Sequence, residues 1–181
     1  MNKKKFDSFK VAFGGIISAV SIVLMFSTGL IPTLTYAIPA VAGALLIMIV
    51  IEISPKFAVA VYFAVSVLSL LVVADKEAAV MYTAFFGYYP IAKGFIEKKL
   101  NGISAWIVKY VIFNIAVIPA YFIVSKILGI SYDDIAFLGK FALPLLWLVC
   151  NITFAFYDIA LTRILSIYVY NWRKYVKRVF K

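Results

Sequence analysis

From Val11 to Ile51 the chain carries no charged side chain for 41 consecutive residues. As a single helix that run would extend roughly 60 Å at about 1.5 Å per residue, twice the ~30 Å hydrocarbon core of a bilayer. It must therefore fold back on itself. Ser27-Thr28-Gly29 and Pro32-Thr33 supply the bend, because Gly and Pro interrupt helices and Ser and Thr suit turns. Four further apolar stretches follow. The whole is expected to be an all-α polytopic membrane protein of six transmembrane helices, over 11–31, 34–53, 57–74, 77–96, 106–128 and 141–168. A transmembrane β-barrel is excluded, since its strands alternate apolar and polar residues and these runs do not.

Charge then orients the spans. With the N-terminus in the cytoplasm, the inner side collects Lys3, Lys4, Lys5, Lys10, Lys56, Lys93, Lys98, Lys99, Lys109, Arg163, Arg173, Lys174, Lys177, Arg178 and Lys181. Only Lys76, Lys126 and Lys140 of the 18 Lys and Arg residues stay outside, together with Asp75, Glu77, Asp133 and Asp134. Basic residues concentrate on the cytoplasmic side of short loops, so both termini are expected inside. The chain reads as one membrane domain over 1–181, with a basic cytoplasmic tail at 169–181, in the plasma membrane. Met1-Asn2-Lys3-Lys4-Lys5 is similar to the n-region of a secretory signal. The apolar run behind it is too long, however, and no Ala-x-Ala site closes it, so no cleavable signal peptide is expected. The net charge of +10 suits anionic lipid headgroups at the helix ends, and nucleic acid is not expected as a partner.

The residues missing from the chain restrict its chemistry. It has no histidine and a single cysteine, Cys150. Ser-His catalysis, His-based metal sites and disulfides are thereby excluded, and there is no phosphate-cradling loop or nucleophile elbow. No enzyme activity, metal or cofactor is expected. Any uphill movement of a solute would draw on an ion gradient or a partner.

Three groups of residues merit a functional reading. In the first span, Gly14/Ser18 and Gly15/Ala19 are overlapping small-xxx-small pairs expected on one helical face, and such pairs let helices approach closely, either within the chain or against a partner. In the fourth, Tyr82, Thr83, Phe85, Phe86, Gly87, Tyr88, Tyr89 and Pro90 join an aromatic cluster to two helix breakers. Breaks at membrane depth are tolerated where they line a cavity or lie buried in protein. Tyr82 and Thr83, nearer the outside, are the better ligand candidates. In the sixth, Asp158 lies in the inner third of the bilayer at the depth of Glu52, Lys93 and Arg163. Because intramembrane charges are costly and usually paired, these four are expected to form a network with a structural or coupling role.

The size, the six short-looped spans, the basic N-terminal tail and the Gly15-Ile16-Ile17-Ser18-Ala19 face together resemble the S components of energy-coupling factor transporters. That family's first helix carries an Ala-x-x-x-Ala-type motif that docks a coupling subunit, and Gly15 stands here in place of the first Ala. The resemblance implies a six-helix bundle that binds a vitamin-like small molecule from outside and is powered by a membrane coupling subunit and two ATP-hydrolysing subunits. It also implies a pocket near the outer helix ends, for which the candidates are Thr33, Tyr36, Lys76, Glu77, Tyr82, Thr83 and Tyr132. Docking to the coupling subunit would use Gly14, Gly15, Ser18 and Ala19. Two alternatives keep the same outline. One is a non-catalytic scaffold of cell-envelope synthesis, as in rod-shape-determining membrane proteins. The other is a lipid-handling protein that uses Lys93, Asp158 and Arg163 on headgroups.

Overall fold

A computed structural model describes residues 3–127, 129 and 141–173. Tyr132, Asp133, Asp134, Lys140 and the tail from Lys174 onward lie outside the described residues, as do the side chains of Lys3, Lys4 and Lys5. The described chain is helical, with no strand. Helix α1 runs Lys3–Ser27, α2 Ala37–Glu52, α3 Pro55–Val72, α4 Lys76–Met81, α5 Tyr89–Lys99, α6 Ile103–Phe122 and α7 Ala142–Ile167. Wide π-turns extend three of these, at Tyr82–Phe86 after α4, Ile123–Ile127 after α6 and Tyr168–Trp172 after α7. Helix α4, its π-turn and α5 form one interrupted rod, so the described helices make six rods.

Local chemistry sets the boundaries. The α1–α2 connection turns through Thr28–Leu30 and a 3₁₀ turn at Pro32–Leu34. Ser54 caps α3 by accepting from the Phe57 N–H, with Pro55 at the first helical position, where its missing N–H costs nothing. Asp75 caps α4 by accepting from the Ala78 N–H at 2.9 Å. Between α5 and α6 the chain reverses at Gly102, whose φ of 59° favours a residue without a Cβ.

Four helical segments are long and apolar enough to cross a membrane: Ser8–Ser27, Pro55–Val72, Ile103–Ile127 and Ala142–Asn171. Large apolar side chains cover their outward faces, among them Val23, Phe63, Leu71, Ile115, Trp147 and Phe156. So much exposed apolar surface fits lipid as the surroundings and marks a membrane protein.

Helix α2 is shorter and apolar all round, the pattern of a helix enclosed by protein. It buries Ala42, Leu46 and Ile49 with Phe13, Ile17, Val61, Val65 and Tyr82 in one core, and Ala44 and Ile47 with Phe85, Tyr89, Phe113, Phe154 and Leu161 in a second. The interrupted rod is its partner. A Cβ on Gly43 would fall 2.0 Å from the Phe86 carbonyl oxygen, so only glycine lets α2 seat against the π-turn. That turn places Tyr82 over Gly87, whose N–H donates to the Tyr82 carbonyl at 2.8 Å. Gly87 in turn leaves room for the rings of Tyr62 and Tyr82. Gly87 and the buried Pro90, the two breakers visible in the sequence, thus lie inside the bundle.

Candidate functional site

A cavity of about 320 Å³ lies between the π-turn after α4, helix α6 and helix α7, in the half of the bundle that carries Tyr36. Phe85, Phe86, Phe113, Phe154 and Tyr157 form its aromatic walls, and Met81, Val117, Val124, Leu146 and Val149 its aliphatic ones. Tyr36, Tyr121, Cys150 and Thr153 complete the lining, so no charged side chain borders it among the described residues. The rings hold one another in place. Phe113 stacks on Phe154 with centroids 4.5 Å apart, Phe85 stacks on Tyr89 at 4.7 Å, and Phe85 meets Phe113 edge-on at 5.1 Å. Such pairs add about 0.5–1.5 kcal/mol each beyond the area they bury, which makes this a stiff wall.

The end of the cavity near Tyr36 is tied by two hydrogen bonds. Thr35 donates to the Asp75 carboxylate at 3.0 Å, and the Tyr36 hydroxyl donates to Glu77. These bonds fix the approach to α2 against the start of α4.

At the opposite side of the aromatic wall stands a buried charge cluster. Asp158 accepts from Lys93 at 2.6 Å and from the Tyr89 hydroxyl at 2.6 Å on one oxygen, and from Lys109 at 2.9 Å on the other. Glu97 accepts from both lysines, at 2.7 and 2.6 Å. Lys93 and Lys109 are each 3% exposed and Asp158 is 2%. Two cations and two anions alternate around the cluster, which sums to zero charge. Pairing of this kind is what makes charge tolerable in an apolar bundle. Tyr89 joins the two features: its ring packs on Phe85 and Phe154, and its hydroxyl binds Asp158.

The residues singled out from sequence divide accordingly. Of the ligand candidates, Tyr36 borders the cavity. Glu77 stands behind it as a hydrogen-bond acceptor, Thr33 is exposed in the 3₁₀ turn, and Lys76 donates to the Leu70 carbonyl at 2.9 Å. Tyr82 is fully buried in the core shared by α1, α2 and α3, away from the cavity. Thr83 belongs with it. The carbonyl of Thr83 takes the Tyr62 hydroxyl at 2.6 Å, and the hydroxyls of Tyr82, Thr83 and Ser69 are buried without a partner among the described residues. Tyr132 lies outside the described residues.

Of the expected charge network, Lys93 and Asp158 meet, but Glu52 and Arg163 do not join them. Glu52 pairs with Arg173 at 3.1 Å and accepts from Tyr168 at 3.4 Å, and Arg163 is exposed on α7. The places expected for them are filled by Lys109, Glu97 and Tyr89. Lys109, counted among the cytoplasmic cations, is a buried member of the cluster.

The small residues of α1 also split. Gly14 is packed inside, where a Cβ would lie 2.6 Å from the Phe57 ring, and half-buried Ser18 donates back to the Gly14 carbonyl at 2.8 Å. Gly15 has open space around it, and Ala19 is exposed. One pair therefore serves the chain's own packing and the other faces outward.

No protein-family model, curated protein or solved structure matches the chain.

Proposed function

We propose that the chain is a six-span membrane protein with both termini in the cytoplasm, and that it binds a vitamin-like small molecule in the aromatic cavity as the substrate-binding subunit of an uptake system. The observation that carries this is the cavity itself. It is walled by rigid rings and lies toward the bundle end that the charge bias directs outward, where a solute arrives. Its volume is at the lower end of the roughly 300–1,000 Å³ usual for small-molecule sites. With no nucleotide-binding loop in the chain, energy would come from ATP-hydrolysing subunits through a membrane coupling subunit. The outward Gly15/Ala19 face is the part of the α1 pattern left for that contact.

The S component of an energy-coupling factor transporter is the family role that fits this assignment. Lipid handling through Lys93, Asp158 and Arg163 is disfavoured, because Lys93 and Asp158 already satisfy each other in the cluster and exposed Arg163 does not join them. The scaffold alternative needs no cavity. The two separate in a detergent-solubilised thermal unfolding assay against a panel of vitamins. A true ligand at a hundredfold excess over its Kd adds about 2.7 kcal/mol of stability. Thr153→Trp, which fills the cavity, should remove the gain. A panel that moves the midpoint of neither protein counts against binding.

A further inference from the structure

We infer that the cavity selects a neutral, largely apolar molecule containing a ring, and rejects charged analogues of the same shape; this rests on the binding function proposed above. The cavity's chemistry gives the reason. No described charged side chain borders it, so a carboxylate or ammonium placed inside would lose its water with no described side chain of opposite sign to meet.

The carboxylates of Asp158, next in sequence to Tyr157, and of Glu77, bonded to Tyr36, are committed. Asp158 holds Lys93, Lys109 and the Tyr89 hydroxyl, and Glu77 holds the Tyr36 hydroxyl. Phe85 and Phe113 each give one ring face to a stacked neighbour, Tyr89 and Phe154, and so present fewer faces to a cation. The walls offer aromatic rings and aliphatic side chains, against which an uncharged ring packs edge-to-face or offset. The few polar tips, such as Thr153, suit one or two hydrogen bonds that orient the molecule without demanding a charge.

Cys150, the chain's one cysteine, lies in the cavity wall and is half-buried, so it reports occupancy without engineering. The full chain in detergent is alkylated with N-ethylmaleimide in the presence of indole, indole-3-acetate or tryptamine at equal concentration. Indole should slow alkylation at least fivefold and raise the unfolding midpoint, while the anionic and cationic analogues should slow it less than twofold. A Ser104→Cys reporter in a Cys150→Ser background, placed at an exposed position, should show no protection by any of them. Protection by either charged analogue equal to that by indole overturns the inference and leaves the binding function standing. If none of the three slows alkylation the inference also falls, and the binding function falls with it only if the vitamin panel leaves the midpoint unmoved.

Discussion

Replacing Asp158 by Asn keeps the shape of the side chain and removes one charge from a place where charge is expensive. Asp158 takes three hydrogen bonds from Lys93, Lys109 and Tyr89, and both lysines are almost fully buried. After the substitution the two ammonium groups share Glu97 alone, and the cluster carries a net charge of +1. Glu97 is 36% exposed, so water screens its contacts, and most of the compensation lost is that of Asp158. Breaking a buried pair by removing one partner costs about 3–5 kcal/mol, and Asp158→Asn should lose that much in unfolding free energy. Titrating the purified protein from a mild detergent into SDS, with helix content as the signal, measures the loss.

The decisive experiment adds Lys109→Met. Alone it leaves one cation against two carboxylates and should cost a similar amount. Together the two changes return the cluster to neutrality through Lys93 and Glu97. The double variant should therefore cost at least about 2 kcal/mol less than the sum of the singles, within the range found for coupled neighbours. An Asp158→Asn loss below about 1 kcal/mol, or simple additivity in the double variant, would refute a cluster held by charge balance.

Three further outcomes follow from packing. Gly43→Ala places a Cβ 2.0 Å from a backbone oxygen that cannot swing aside, and should destabilise by about 1–3 kcal/mol in the same titration. Gly15→Ala enters open space and should stay within about 0.5 kcal/mol of the parent. Phe85→Ala removes a fully buried ring from the cavity wall and should cost about 3–5 kcal/mol, with faster alkylation of Cys150 as the second readout.

The helical class, the apolar helices and the break near Gly87 are all legible in the sequence, because hydropathy and helix breakers are local properties. The cluster is legible only in part. Asp158 and Lys93 stand out as charges within apolar runs, whereas Lys109 sits close enough to a helix end to pass for one more interfacial cation. A signal for it existed: Trp106, Lys109, Tyr110 and Phe113 share one helical face, and a lysine among rings needs a partner. Tyr89, Lys93 and Glu97 likewise fall on one stripe at spacings of four.

The two small-residue pairs of α1 read as one face, but they are offset by one position, about 100° around a helix, and in the structure they meet different surroundings. No local pattern brings Phe113, Phe154 and Phe85 to one wall. They come from three rods, and their meeting depends on how α2 and the π-turn dock at Gly43.

The order in which the cluster's charges occur along the chain has a consequence for biogenesis. Helix α5 brings Lys93 and Glu97, which cancel; α6 adds the cation of Lys109; α7 supplies the anion of Asp158. During synthesis the helices enter in that sequence, so the growing bundle holds one uncompensated ammonium in apolar surroundings until α7 arrives. A copy interrupted between α6 and α7 keeps that defect permanently. The described cluster thus reaches electroneutrality only once α7 is in place.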